Sequence, residues 1–402
     1  MKIKRQSVIE QYLAKHHKQC LTTNRPVPND LEMVVVIPCF NEPEVLTTLN
    51  SLLDCHPVDC GIEIIVLINS YTFVDETIKG FNKKTYQKCL DFALNQNRPG
   101  FEIIPLLIED LPGHQTGAGL PRKIGMDEAT FRFNRIASEN GIIICLDADC
   151  TVERNYLSEI HKQFRGNDLN SATIEFHHPV GHLPENDPIR RASEAYESYL
   201  RYYRAALEYC GFPYAYYTIG SAIAVTCETY ARVGGMCKLQ AGEDFYFMQK
   251  VFPLEKTKFI DSTKVYPAAR FSDRVPFGTG PELAKLSKSD SIIKYTYNFG
   301  AFQILKQLFD QIDSFFKSPP EDISFIINDL PQPVRDFIIR DNLICKLEEI
   351  NRNTGNISSF RKRFFSYFNA FKILKYLNYA HETFFQMENA TISQHSLDYQ
   401  LG

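Results

Sequence analysis

What this chain lacks narrows its possible functions first. It has no surplus charge of one sign: 48 acidic and 44 basic side chains leave a net charge of -4. No global basic field exists to hold nucleic acid, so an anionic ligand must be gripped by a local site. No apolar run reaches the roughly eighteen residues that a membrane-spanning helix needs. The opening segment, MKIKRQSVIEQYLAKHHKQC, lacks the apolar h-region of a signal peptide. The eleven cysteines are odd in number and never stand as C-x-x-C. A disulfide framework or zinc cluster is therefore not expected, whereas a reducing, cytoplasmic setting is. Several cysteines lie in or beside apolar runs, where a free thiol behaves as a small hydrophobe. Internal repeats and low-complexity tracts are not evident. What is present, 44% hydrophobic and 23% charged residues, is the composition of a folded globular protein. The 402 residues suffice for two or three folding units, or for one large domain with an appendage.

The order of apolar segments sets the expected architecture. Residues 1–30 read as a short amphipathic helix followed by a Pro-containing link, NRPVPND. Apolar runs then occur at 33–37, 62–68, 103–108 and 142–146, short and mostly β-branched, as in strands covered on both faces. Helical stretches at 43–53, 75–94 and 122–138 alternate with them. This alternation predicts βαβ units and a parallel sheet, with the loops after the strands gathered along one edge. Further along, 172–176 and 221–225 read as strands, and 188–209 and 243–251 as helices. Beyond about residue 280 the strand signals stop. Residues 283–316, 334–350 and 360–387 carry helical spacing, which predicts an α-helical C-terminal region.

Four segments fall on the predicted sheet edge. In VVVIPCFNE a buried strand ends at Pro38, and Asn41 and Glu42 stand at the mouth of a helix that Pro43 can start. IIVLINS ends in Asn69 and Ser70, which suit either a base or sugar contact or a turn cap. In GHQTGAGLPRKIGMDEA, glycines including Gly119 permit close backbone approach, and Arg122 and Lys123 bring two cations suited to phosphate oxygens. It is neither a P-loop nor a GxGxxG. In GIIICLDADC the apolar run leads straight into Asp147 and Asp149. Two carboxylates two residues apart share one side of a strand, and burying them at a strand end is costly unless a cation neutralises them. The alternative is a pair of solvated turn aspartates, against which the apolar run leading into them speaks. Mg²⁺ or Mn²⁺ suits such an oxygen pair and commonly bridges phosphates as well.

In this order the four segments resemble the nucleotide-binding half of the GT-A glycosyltransferases, family 2 in particular, over about residues 31–280. The resemblance implies a mostly parallel, Rossmann-like sheet flanked by helices. It also implies metal-dependent transfer of a sugar from a nucleotide-diphosphate sugar to an acceptor hydroxyl. Asp147 and Asp149 would hold the divalent ion, Mn²⁺ or Mg²⁺. Pro38, Asn41, Glu42, Asn69, Gly119, Arg122, Lys123, Asp147 and Arg274 would bind the donor. A later stretch, GSAIAVTCETYARVGGMCKLQAGEDFYF, matches the family's small-residue strand, G-G turn and E-D pair. By that analogy Asp244 is the base toward the acceptor hydroxyl, and Glu243 orients donor or acceptor hydroxyls. The pair equally fits a helix N-terminus. One base suits a single in-line displacement with inversion, although retaining relatives share this layout.

The chain departs from the family pattern in two places. Asn69 stands where many relatives carry an aspartate. No histidine follows the E-D pair before the helical tail, so Asp261, Asp273 or water would complete the metal shell. Arg270 and Arg274 fit either diphosphate contacts or surface ion pairs. A sugar nucleotidyltransferase is the alternative within this fold group, but the glycine-rich basic signature of those enzymes is missing after the first strand. A non-catalytic nucleotide-sugar-binding protein has no need for intact D-A-D and E-D pairs.

Three further features carry two readings each. The HHPVGH cluster (His177, His178, His182) reads as a surface or acceptor loop rather than a metal site, because adjacent histidines on extended backbone point apart. The tyrosine-rich run Tyr196 to Tyr217 suits a sugar cleft or packing onto the sheet. The basic, aromatic tail FRKRFFSYFNAFKILKYLNYAHETFF suits a peripheral contact with an anionic membrane face or, preferably, a helical core.

Overall fold

The computed structural model describes residues 6–16, 21–22, 24–113, 117–271, 279–287 and 295–401. The chain runs α1 (Val8–His16), β1 (Leu31–Cys39), α2 (Val45–Leu53), β2 (Gly61–Tyr71), α3 (Glu76–Asn95), β3 (Phe101–Leu111), α4 (Gly119–Arg135), β4 (Ile142–Cys145), β5 (Cys150–Val152), α5 (Tyr156–Asn167) and β6 (Ser171–Phe176). Then come α6 (Pro188–Tyr209), β7 (Ile223–Thr226), α7 (Cys227–Arg232), α8 (Glu243–Val251), β8 (Thr257–Pro267) and α9 (Thr279–Ser287). Among the described residues, eight strands form one sheet in the order β3-β2-β1-β4-β7-β6-β8-β5. β3, β2, β1 and β4 are mutually parallel. β7 runs antiparallel to β4 and β6, and β5 antiparallel to β8. The fold is thus the expected α/β class, a mostly parallel sheet flanked by helices, with α-helices following it toward the C-terminus.

Burial explains the composition of the strands. All eleven residues of β2 are buried, so neither face tolerates the polar alternation of a half-solvated strand. β1 pairs with β2 from Leu31↔Gly61 to Cys39↔Ile68 and with β4 from Met33↔Ile142 to Val36↔Cys145. Pro38 therefore lies inside β1, one residue before its end, rather than terminating it. β5 and β8 escaped the sequence reading. β5 has only three residues, and β8 exposes Lys258, Asp261 and Ser262, so neither shows a continuous apolar run. No described helix is long and apolar enough to cross a membrane.

The chain divides into two compact units, residues 1–184 with 218–284, and residues 185–217 with 285–402. Residues 1–30 thus fall within the sheet-bearing unit, where α1 docks through side chains buried deep in it. Tyr12 donates to Asp127 Oδ1 at 2.6 Å, as does Tyr230. Glu128 accepts the Leu21 and Thr22 backbone N–H groups, both at 3.0 Å.

In the helical unit α6 accompanies α10 (Phe299–Asp310), α11 (Pro320–Asp329), α12 (Gln332–Arg340), α13 (Leu343–Arg352), α14 (Ile357–Tyr367), α15 (Ala370–Thr383) and α16 (Ala390–Leu401). Two short strands, β9 (Tyr295–Thr296) and β10 (Glu388–Asn389), pair antiparallel within this unit, where no strand was expected. Tyrosines of α6 pack within their own unit: Tyr203 meets Phe302 of α10 and Tyr297 just before it, and Tyr209 meets Phe299. Phe360, Phe364, Phe365, Phe368 and Tyr376 of the tail are buried and pack in the core, while Phe371 is exposed.

Candidate active site

The site is built on the loops that follow the parallel strands. β4 ends at Cys145, and the backbone then turns through Asp147-Ala148-Asp149, closed by the Cys150 N–H donating to the Asp147 carbonyl at 3.1 Å. The Thr48 hydroxyl donates to the Ala148 carbonyl at 2.9 Å and ties this turn to α2. The next anchor comes from α4. Arg122, in its first turn, is 1% exposed, and its Nη2 donates to Asp147 Oδ1 at 2.6 Å. Its Nη1 pairs with Glu243 Oε1 at the start of α8. One guanidinium thus joins the D-A-D turn to the E-D pair. Burial opposes its charge, but Asp147 and Glu243 outweigh that cost and hold its pKa above the ordinary arginine value.

Asp244 lies beside this pair. Gly242, left-handed at φ 72°, turns the chain into α8, and Asp244 Oδ1 accepts the Phe245 N–H at 2.7 Å. Burial, reinforced by the negative charge of Glu243, pushes its carboxyl up to about 7, with Arg122 opposing. Asp147 also acts on it electrostatically. A carboxyl titrating near neutrality suits a general base.

The second carboxylate of the turn has its own cation. Arg270, just beyond β8, donates through Nη2 to Asp149 Oδ2 at 2.7 Å and also grips both oxygens of Glu42, which is 1% exposed. The Ala268 N–H reaches the Asp149 carbonyl at 3.2 Å. Each carboxylate of the turn thus has an arginine from a distant segment beside it, but each arginine is shared with a second carboxylate, Glu243 or Glu42, so two guanidinium groups face four carboxylates. Asp261 is exposed in mid-strand, and Asp273 and Arg274 lie outside the described residues.

Lys123 is placed differently from the expectation of two adjacent phosphate-binding cations. Its Nζ donates to Tyr12 Oη at 2.7 Å and to Asp127 at 2.9 and 3.1 Å. Successive helical residues point about 100° apart, so Arg122 turns to Asp147 while Lys123 turns to α1. Gly119 is likewise a packing glycine. A Cβ there would overlap the Leu239 carbonyl oxygen and press on Glu243. Gly119→Ala is therefore expected to destabilise the protein by about 1–3 kcal/mol and to displace the segment leading into α8. Chemical denaturation measures the first effect, and loss of nucleotide-sugar affinity the second.

The ends of β1 and β2 are joined by a residue that the sequence reading did not single out. Asn82 of α3, fully buried, accepts the Asn41 N–H at 2.9 Å and donates to the Asn69 carbonyl at 2.8 Å and to Ser70 Oγ at 3.0 Å. Asn41 is left-handed at φ 49°. The Asn69 side-chain amide is buried without a hydrogen-bond partner. Asn82 shares the buried face of α3 with Thr85 and Cys89, and burial of a polar side chain is invisible in the sequence. The histidines alternate as extended backbone requires, His178 buried and His177 and His182 exposed.

No protein-family model matches the chain, and no curated protein matches it. Among solved structures it is similar to S. aureus TarS 1-349 in complex with UDP-GlcNAc, at 11% identity over 84% of this chain and 91% of that one, with a TM-score of 0.41. The same fragment in complex with UDP is similar at 12% identity and the same coverage, with a TM-score of 0.40. S. aureus TarS itself is similar at 13% identity over 84% of this chain and 55% of that one, again at 0.40. A likeness at this identity and score assigns neither family nor activity.

Proposed function

We propose that the chain is a glycosyltransferase that moves a sugar from a nucleotide-diphosphate sugar to an acceptor hydroxyl, with inversion. The observation that supports this most is the buried Arg122 clamp between Asp147 and Glu243, with the near-neutral carboxyl of Asp244 alongside. In the reaction, Asp244 takes the proton of the acceptor hydroxyl. The acceptor oxygen then bonds to the anomeric carbon while the bond from that carbon to the diphosphate oxygen breaks, and the diphosphate leaves with the electron pair. Glu243 is held by Arg122 and positions Asp244 and the sugar hydroxyls. Arg122 and Arg270, each shared between two carboxylates, offset part of the negative charge at the edge where the diphosphate would sit. Asn41, Glu42 and Asn69 would belong to the nucleoside side.

A divalent ion, Mn²⁺ or Mg²⁺, belongs to the same proposal. Asp147 and Asp149 would hold it, since both side chains keep exposed surface, 40% and 22%, and offer the hard oxygens such ions prefer. Bound there, it would neutralise the charge that builds on the diphosphate.

The test is a thermal-stability titration with UDP-, GDP- and dTDP-sugars, with Mn²⁺ and with EDTA. One nucleotide class is expected to stabilise the fold by about 2.7 kcal/mol at one hundred times its Kd, and EDTA is expected to abolish most of that gain. Absence of stabilisation by every nucleotide sugar, with or without metal, would overturn the assignment. Stabilisation that EDTA leaves intact would remove the ion and leave charge neutralisation to the arginines.

A further inference from the structure

Glu32, Cys60 and His161 converge far from the proposed transfer site, at the opposite edge of the sheet. Glu32 stands at the start of β1, Cys60 immediately precedes β2, and His161 lies in α5. The pairing Leu31↔Gly61 brings the starts of β1 and β2 together, with Glu32 at a register irregularity between Leu31 and Met33. One carboxylate oxygen, the thiol sulfur and one imidazole nitrogen all lie within 4.8 Å of one another. β1 itself, at roughly 3.3 Å per residue, separates this cluster from Asn41 and Glu42.

The geometry points to a site for a single borderline-soft divalent cation, Zn²⁺ by its chemistry, held by Cys60 Sγ, His161 Nε2 and a Glu32 carboxylate oxygen. Thiolate, imidazole and carboxylate together form the donor set that zinc accepts, and three protein ligands leave a fourth position for water. Tetrahedral zinc places its ligand atoms roughly 3.4–3.8 Å apart, so little closure is needed. His161 Nε2 already meets Glu32 Oε2 at 2.7 Å, and the cation would replace the proton they share. Arg165, one helical turn beyond His161, donates to the same Glu32 oxygen at 2.9 Å through Nε. It thereby fixes the carboxylate's orientation, as outer partners of metal ligands do. Glu32, Asp30 and Asp59 add negative field at Cys60, which Arg165 partly offsets. Cys60 is 7% exposed and the Glu32 and His161 side chains are 37% and 23% exposed, so an ion can enter from solvent to a sheltered sulfur. Since the three ligands come from β1, the approach to β2 and α5, the ion would staple α5 to the sheet.

The test uses the full chain, stripped with chelator and titrated with Co²⁺ as a spectroscopic stand-in for Zn²⁺. One equivalent is expected to produce a thiolate-to-cobalt charge-transfer band in the near ultraviolet, which Zn²⁺ then displaces. Cys60→Ser should abolish the band, and His161→Gln and the half-exposed Glu32→Gln should each weaken binding by about 10-fold or more. Cys237→Ser and Cys345→Ser should leave it unchanged. If the wild-type chain shows no such band, if the band survives in Cys60→Ser, or if binding is unweakened in both His161→Gln and Glu32→Gln, the three residues are no metal site. The readout needs no sugar transfer, so its failure would leave the proposed function untouched.

Discussion

Asp244→Asn is expected to lower sugar transfer by about 10²–10⁴-fold, the usual contribution of a positioned general base, while leaving nucleotide-sugar stabilisation in place. The amide keeps the shape of the side chain but cannot accept the acceptor's proton. In the wild-type protein the carboxyl is pushed up to about 7, so the transfer rate should climb as the pH rises through that value and level off above it. The same shift makes a prediction about stability. An acid whose pKa is raised on folding contributes stability that is present below its unfolded range, near 3.8. That contribution is lost as the pH rises through the folded value. Asparagine carries no such dependence. Asp244→Asn should therefore raise the melting temperature more at pH 8 than at pH 5. Equal loss of donor stabilisation and of transfer would move Asp244 from catalysis to structure.

Arg132→Leu is expected to cost about 3–5 kcal/mol of stability, the usual penalty for leaving a buried charge without its partner. The side chains of Arg132 in α4 and Glu63 in β2 are both fully buried and paired with each other, and Arg132 Nη2 also donates to the Pro26 carbonyl at 2.9 Å. Burial already raises the Glu63 carboxyl above the ordinary glutamate value, against the pull of Arg132. Without the guanidinium that rise must grow, so Glu63 would fold best when protonated. The loss should then be larger at pH 8 than at pH 5. Glu63→Leu in the same chain should recover much of the deficit, because two apolar side chains carry no desolvation penalty. Urea titration of the two variants measures both effects, and a double variant as unstable as Arg132→Leu alone would show that packing, not charge, sets the cost. α4 also carries Arg122, so Arg132→Leu should lower nucleotide-sugar affinity as well.

Sequence alone determined the parallel core of this protein. Strands buried on both faces must be apolar at nearly every position, and runs such as Ile142–Cys145 cannot be hidden by composition. It also placed Asp147, Asp149, Glu243 and Asp244 where strands end and a helix begins, because turns and helix starts are written in local residue types. The partners of those groups were decided by the tertiary structure. Arg122 and Lys123 are neighbours in the chain, yet helical geometry sends one to Asp147 and the other to Tyr12. Arg270 closes on Glu42 across 228 positions, and Asn82 links two strand ends that no spacing relates. Ion pairing and hydrogen bonding act over a few ångströms of space, whereas a sequence records only distance along the chain. Glu32, Cys60 and His161 show the same limit, since three ligands drawn from separate elements leave no C-x-x-C for the eye to find.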